Sequence, residues 1–236
     1  MPTLNVGAVE QVMAAEALSD QRGACSRRFM PRKSRAKSAP GDGAVLESIE
    51  NLAITSLAGD SIGIPDAQWM VHLQFRRFAG CPVCDLHLSS FKRRHREIEQ
   101  AGVREVVIFH SDAADLLTYA NDLPFALVAD SEKRLYRQFG VRTSPRALLD
   151  PRVWPYIALG IVRSLLKILG AGGAIPPISP RGGSFGLPAD ILIATDGRVL
   201  AQKYGQHAYD QWSVDELLEL ARSSSERALS IGNGRG

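Results

Sequence analysis

The sequence predicts an α/β fold, and three observations support the prediction. Residues 69–75 alternate between apolar and polar side chains as a strand does, and an amphipathic helix at 82–100 follows them. Apolar runs at 103–109 and 124–129 are each followed by a helix with an Asp or Ser at its start, at 113–121 and 132–139. Because strands alternate with helices through this part of the chain, we expect βαβ units with parallel strands.

Two hairpins are expected to flank these units. The first spans 52–64 with a Gly-Asp turn, and the second spans 188–204, opening at Pro188 and turning at Asp196-Gly197. Ser213 and Glu216 form a capping box, which predicts a final helix through residue 221.

Composition sets the domain organisation and excludes some function classes. The chain has 236 residues and a net charge of +3, but residues 21–41 hold seven cations and no acid. The basic isoelectric point therefore describes a leader and not a nucleic-acid-binding fold. We predict a disordered basic leader at 1–43, a single domain at 44–224 with an insertion at 142–187, and a flexible tail at 225–236.

Three cysteines do not form the disulfide framework of a small secreted protein, so we expect a reducing compartment, the cytoplasm. Cys25 lies in the leader and is taken as a bystander. No apolar run of about 20 residues predicts a membrane span.

The insertion contains one strongly apolar stretch, 154–169, between segments rich in proline and glycine. Tyr156, Gly160, Arg163 and Lys167 form a narrow stripe on this predicted helix. We expect its wide apolar face to pack on the sheet of its own domain, and a homodimer contact or a membrane-surface contact stays open as an alternative.

Cys81 and Cys84 are separated by two residues at the turn from a predicted strand to a predicted helix. Gly80 permits the turn, and Pro82 suits the first helical position because it has no N–H to lose. The helix N-terminus favours a thiolate at Cys81, and Arg76 and Arg77 would add positive potential. Cys84 shares the apolar face of the helix, so we expect an exposed attacking thiol at Cys81 and a sheltered second thiol at Cys84.

This spacing is typical of redox chemistry, in which Cys81 attacks a disulfide or a peroxide and Cys84 closes an internal disulfide. An external dithiol would reopen that disulfide, and no cofactor is required. A structural zinc site is an alternative, but it needs about four ligands, and only His72, His87, His95 and His110 are spare. Inert core cysteines are a further alternative.

The order of the predicted elements resembles that of the thioredoxin-like superfamily over residues 50–222. Leu-Pro-Phe-Ala-Leu-Val-Ala-Asp at 123–130, Leu-Tyr-Arg-Gln-Phe-Gly-Val at 135–141 and Leu-Pro-Ala-Asp-Ile-Leu-Ile at 187–193 resemble peroxiredoxins of the alkyl hydroperoxide reductase/thiol-specific antioxidant type. Phe-Arg-Arg-Phe-Ala-Gly-Cys-Pro-Val-Cys at 75–84 is similar to the branch that carries two cysteines in the thioredoxin position. The resemblance implies a three-layer fold with a mixed central sheet, an N-terminal hairpin and a helical insertion before the last hairpin.

The resemblance also implies roles for individual residues. Cys81 matches the peroxidatic cysteine, Cys84 the second thiol, and Pro188 the cis-proline that lies beside the active pair. Standard peroxiredoxins have a Thr or Ser three residues before the peroxidatic cysteine and a Pro four residues earlier, whereas this chain has Phe78 and Gln74.

We therefore expect a thiol-dependent oxidoreductase or antioxidant enzyme that reduces a small hydroperoxide or a disulfide. A thioredoxin-like protein or glutathione would be the reductant. Two alternatives stay open: a redox-sensing binding module that acts through the 154–169 helix without turnover, and a zinc-stabilised structural domain. His207 is expected to lie in a loop.

Overall fold

The structure is a computed structural model and describes residues 45–120, 122–171, 183 and 185–233. The predicted leader and Cys25 lie outside the described residues. The described residues form seven strands: β1 (Leu52–Thr55), β2 (Ser61–Ile64), β3 (Met70–Arg76), β4 (Val103–Phe109), β5 (Ala126–Ala129), β6 (Ala189–Ile193) and β7 (Val199–Tyr204).

The helices in the described part of the chain are α1 (Pro82–Arg93), α2 (His95–Gln100), α3 (Ala113–Tyr119), α4 (Arg134–Gln138), α5 (Arg146–Leu149), α6 (Trp154–Ala171) and α7 (Val214–Asn233). A 3₁₀ turn, Pro151–Val153, precedes α6. None of these described helices combines the length and the apolar character that crossing a bilayer would require.

The main sheet has the strand order β5-β4-β3-β6-β7. Strand β3 pairs parallel to β4, and β4 pairs parallel to β5, as the alternation of strands and helices predicts. Strands β6 and β7 add antiparallel pairs on the other side of β3. The sheet is therefore mixed, and β1 and β2 form the separate hairpin that the sequence predicts.

Two apolar cores lie on opposite faces of this sheet. One contains Val71, Leu73 and Phe75 of β3 and packs beneath the β1–β2 hairpin and α4. The other contains Leu88 and Phe91 of α1, together with apolar residues of α2, α3 and α7. The arrangement gives the three-layer, thioredoxin-like architecture.

Local capping chemistry explains why several helices begin where they do. Asp112 accepts a hydrogen bond from the Asp115 N–H at 2.9 Å at the start of α3. The Ser213 N–H donates to Glu216, and the Glu216 N–H donates back to Ser213 Oγ, so the predicted capping box forms at the start of α7.

Two helices differ in extent from the prediction. The predicted helix at 82–100 is interrupted at Arg94, which divides it into α1 and α2. Helix α7 runs through Asn233, although the prediction ended it at residue 221. Residues 222–233 contain no Pro and a single interior Gly, so nothing in the sequence there stops a helix.

The packing of α6 is opposite to the expectation. The helix lies on α1 and not on the sheet, and its glycine Gly160 makes the close approach. Arg163, from the same narrow stripe, lies 3.8 Å from Asp85 of α1. The wide apolar face of α6 therefore points away from its own domain.

Candidate active site

The two cysteines lie at the start of α1, directly after the central strand β3. Gly80 has φ +81°, a conformation that favours glycine, and it turns the chain from the strand into the helix. Cys81 is the N-cap residue, and Pro82 occupies the first helical position as predicted. Cys84 lies in the first turn, and both thiols are free.

Several donors surround the Cys81 sulfur. Arg77 Nη1 donates to Cys81 Sγ at 3.4 Å. Burial opposes ionisation, but the Cys84 thiol, the Arg77 charge and the backbone N–H groups of Cys84 and Val83 lower the pKa of Cys81 to about 6. Cys81 is therefore the thiol that is ionised at neutral pH.

Cys84 has the opposite character. Its hydrogen bond to Cys81 and its burial raise the pKa of the Cys84 thiol well above the usual range. The pair therefore consists of one thiolate and one protonated thiol that supports it.

The prediction that Cys81 is exposed is wrong. Cys81 is 2% exposed and Cys84 is 3% exposed. They share an apolar cluster with Phe78, Val83, Val153 and Ala208, and Leu148, Ile157 and Tyr209 pack against it. The sequence did not reveal this cover because Val153, Ile157 and Ala208 come from the insertion and from the loop after β7.

Gly160 allows α6 to lie this close to the thiol helix. A Cβ atom at position 160 would lie 2.8 Å from the Pro82 carbonyl oxygen, well inside contact distance. Tyr156 of α6 also stacks on Tyr209, with ring centroids 3.7 Å apart. Pro82 is thus both the first residue of the helix and the contact for α6.

Arg76 hydrogen-bonds within a buried network and not with Cys81, although the sequence predicts that it adds positive potential at the thiol. Its guanidinium is fully buried and donates to Asp190 at 2.6 Å and to Gln74 at 2.5 Å. Arg77 is the cation that contacts Cys81. The β-strand alternation could have found this, because Arg76 continues the face of His72 and Gln74, whereas Arg77 follows the end of the strand.

Arg76 belongs to a buried polar network that sequence reasoning missed. His72 Nδ1 lies 3.0 Å from Glu105 of β4, and His72 Nε2 lies 3.2 Å from Asp190 of β6. Gln74 donates to Glu105 and so closes the network between the three strands. Its signal in the sequence is the presence of ionisable residues within three strands that are rich in apolar side chains: His72 and Arg76 on β3, Glu105 on β4 and Asp190 on β6.

Charge balance makes this network tolerable in the core. Burial disfavours the charged imidazole, but Glu105 and Asp190 raise the pKa of His72 to about 9. Burial also disfavours the Asp190 carboxylate, but Arg76 and His72 hold its pKa well below the usual range. Two cations and two carboxylates are thus paired without solvent.

His87 accepts from Arg76 at 3.3 Å and is held neutral, because burial and the Arg76 charge lower its pKa well below the usual range. Within the described residues, no three His, Cys, Asp or Glu side chains converge in a way that could hold a metal ion. His207 lies in the loop after β7, as expected, where its Nδ1 accepts from the Tyr209 N–H at 3.3 Å.

Pro188 is not the cis-proline that the resemblance implied. The cis peptide bond among the described residues precedes Pro65, in Ile64-Pro65. Pro188 comes directly before β6, and its carbonyl accepts from the Gly205 N–H at 2.9 Å. Its ring packs close to Gly205, where a Cβ atom would meet Pro188 Cγ at 2.7 Å.

Phe78 and Gln74 occupy the positions at which standard peroxiredoxins have a Thr or Ser and a Pro, respectively. Phe78 packs in the apolar cluster with both cysteines, and Gln74 bonds within the buried network. A thioredoxin-like fold with a low-pKa cysteine at a helix N-terminus is typical of the thiol oxidoreductases.

The particular family follows from a comparison of the sequence with family models. The model described as AhpC/TSA antioxidant enzyme matches residues 88–207, half of the chain, and the chain belongs to this family. The matched segment begins at Leu88, after both cysteines, so membership in the two-cysteine branch stays a prediction. A search of curated proteins found no match.

Solved peroxiredoxins share the fold. The reduced 2-Cys peroxiredoxin of Plasmodium vivax has a TM-score of 0.53 and 12% identity, over 77% of this chain and 81% of that one. A peroxiredoxin 6 of Arenicola marina has a TM-score of 0.55 and 14% identity, over 78% and 76%. The peroxidoxin BcpB of Mycobacterium tuberculosis has a TM-score of 0.52 and 16% identity, over 75% and 95%.

Proposed function

We propose that the protein reduces a hydroperoxide with Cys81 as the nucleophile and Cys84 as the thiol that closes an internal disulfide. The observation that carries the proposal is the set of donors at Cys81, which lowers its pKa to about 6 while the pKa of Cys84 is raised. A nucleophile that is ionised at neutral pH and a protonated neighbour are the two groups that such a cycle needs.

The first step transfers one oxygen atom to Cys81. The thiolate attacks the hydroperoxide, the O–O bond breaks, and the alkoxide takes a proton to leave as an alcohol. Cys81 becomes a sulfenic acid. Arg77 would stabilise negative charge on the sulfur before the attack and on the departing oxygen after it.

The second step forms the disulfide. The Cys84 sulfur loses its proton and attacks the Cys81 sulfur, the S–O bond breaks, and the hydroxide combines with that proton to leave as water. A thioredoxin-like dithiol or glutathione would then return the electrons and protons. We propose that a domain of residues 44–224 performs this cycle, in a reducing compartment such as the cytoplasm.

Disulfide reduction is a second candidate, favoured by one observation. Phe78 fills the position where a hydroxyl would orient a peroxide, and it packs in the apolar cluster of the thiols. The same pair could attack a substrate disulfide, with Cys84 releasing the product by exchange.

The test measures the oxidation of Cys81 and Cys84 directly. The reduced protein is treated with a hydroperoxide, and a Cys81–Cys84 disulfide is sought by mass spectrometry. Turnover is then measured as peroxide-dependent NADPH oxidation with thioredoxin and its reductase. Cys81→Ser should abolish turnover, Cys84→Ser should stop at the sulfenic acid, and Cys25→Ser in the leader serves as the matched control with full activity.

Other outcomes separate the alternatives. Reduction of insulin disulfides without peroxide turnover would replace the peroxidase proposal with a disulfide reductase. Oxidation of the pair without turnover in either assay would favour a redox-sensing module. Full activity in Cys81→Ser would overturn the assignment of the nucleophile.

A further inference from the structure

The outward face of α6 is an exposed apolar surface of the described residues that the proposed chemistry does not use. It consists of Leu159, Ile161, Val162, Leu165, Leu166 and Leu169, which are between 47% and 83% exposed. At 100° per residue these six side chains cover one continuous arc of the helix. A monomer rarely leaves such a patch open to water without a partner.

The orientation of α6 shows that this face does not pack into the core of its own domain. The helix contacts its own domain through Gly160, through Ile157 beside the thiol cluster and through Arg163 near Asp85. The narrow polar stripe is thus used for packing, and the side chains with the most apolar surface are turned outward.

We propose that the outward face of α6 docks on an anionic lipid surface. The charge of the surrounding segment supports this occupant. Residues 151–189 hold four cations, Arg152, Arg163, Lys167 and Arg181, and no acid. Arg163 and Lys167 belong to the stripe on the side of α1, so Arg152, before the start of α6, and Arg181 are the cations of this segment that lie outside that stripe. The leader adds seven cations at 21–41, again with no acid. Clusters of cations next to an exposed apolar helix are attracted to negatively charged lipid headgroups.

The same charges argue against a second copy of this chain as the occupant. Pairing two α6 helices face to face would bring two segments of like charge together, which is unfavourable. A lipid surface can accommodate both features, because the acyl region accepts the leucine side chains and the headgroups attract cations beyond the packing stripe, such as Arg152.

The geometry of the domain suits a helix that lies on the surface. Trp154 at the start of α6 is 60% exposed, and its ring nitrogen donates to the Leu148 carbonyl at 3.2 Å, so the indole is held at the edge of the patch. Indole rings favour the boundary between headgroups and acyl chains. Helix α6 would then separate the lipid surface from the thiol helix by about 10 Å, one helix diameter.

The test is co-sedimentation of the full-length reduced protein with vesicles of phosphatidylcholine alone or of phosphatidylcholine with phosphatidylserine. We expect binding to the anionic vesicles, weakening as salt is raised. Leu169→Glu combined with Leu166→Glu should lower the apparent partition coefficient at least about tenfold, because two apolar side chains no longer enter the lipid. Val45→Glu, at a site 75% exposed and outside α6, is the matched control and should bind as the wild type does.

A second measurement does not depend on the glutamate variants. Brominated phosphatidylcholine in anionic vesicles should quench the fluorescence of the bound wild-type protein, and Trp154→Phe should remove most of that quenching. Circular dichroism of each variant shows whether the fold is kept.

Three results would overturn the proposal. One is the absence of binding to anionic vesicles. Another is unchanged binding by the Leu166→Glu/Leu169→Glu variant, which would assign the binding to the basic leader. The third is a stable dimer that fails to bind vesicles and that these two substitutions dissociate, which would make a second copy the occupant.

Discussion

Arg77 is the residue on which the reactivity of Cys81 most directly depends. Its guanidinium lies 3.4 Å from the sulfur in a site that excludes water, where a charge acts strongly. We predict that Arg77→Met raises the pKa of Cys81 by about one to three pH units. The midpoint of the pH profile of iodoacetamide alkylation, close to pH 6 in the wild type, should move upward by that amount.

The midpoint is a better measure than the rate, because a thiolate of higher pKa is intrinsically more nucleophilic and partly hides the loss. Arg77→Lys keeps the charge and is the control, with a midpoint near that of the wild type. An unchanged midpoint in Arg77→Met would show that Cys84 and the backbone donors alone set the pKa of Cys81.

At the scale of residues, the sequence predicted the position of Cys81 and Cys84 at the start of the helix but not the residues that surround them. The turn residues Gly80 and Pro82 have local roles, so the position of Cys81 at the helix start follows from adjacent residues alone. The choice between Arg76 and Arg77 depends on which face of β3 meets Asp190 in β6, more than a hundred residues later. Only the paired sheet supplies that information.

At the scale of elements, the contact between α6 and α1 is expected to control access to the thiols. A methyl group at Gly160 would press on the Pro82 carbonyl, whereas the space around Gly170 of the same helix is open. We predict that Gly160→Ala lowers the free energy of unfolding by about 1–3 kcal/mol, because the helix must shift. Gly170→Ala should be neutral or stabilise the protein by up to about 1 kcal/mol, through its better helix propensity.

Urea unfolding measures the difference in stability, and a chromogenic disulfide reagent measures how readily the native thiols react. The thiols should react faster in Gly160→Ala, since α6 covers them, and at the wild-type rate in Gly170→Ala. Equal behaviour of the two variants would mean that the close approach at Gly160 has no effect on the site.

Elements with their own local signals were predicted well. The capping box at Ser213, the cap at Asp112 and the hairpin turn at Asp196-Gly197 each form as expected, because the residues that specify them are adjacent in sequence. The placement of α6 was predicted wrongly. A wide apolar face normally packs inward, and nothing within residues 154–169 indicates that the glycine and arginine stripe is the side that packs.

At the scale of the whole molecule, two buried groups oppose each other in the pH dependence of stability. The pKa of His72 is raised from 6.5 to about 9, so its stabilising charge is fully present below pH 6.5 and is lost as the pH rises through 9. The pKa of Cys81 is lowered from 9.0 to about 6, so its contribution is present above pH 9 and is lost as the pH falls through 6. Between these limits the two contributions change in opposite directions.

Both groups therefore act in the window from pH 7 to pH 8, where Cys84, whose pKa is raised, stays largely protonated in the folded and unfolded states. We predict that the free energy of unfolding of the reduced wild-type protein is nearly flat there. Each group alone would give a slope of about 1.4 kcal/mol per pH unit. In Cys81→Ser only the His72 term is left, so stability should fall as the pH rises. In His72→Gln only the Cys81 term is left, so stability should rise. The double variant should be flat again, at a lower level because Glu105 and Asp190 lose their buried cation. Urea unfolding under a reductant across this window measures all four proteins, and parallel curves for the two single variants would show that neither pKa is set as the structure indicates.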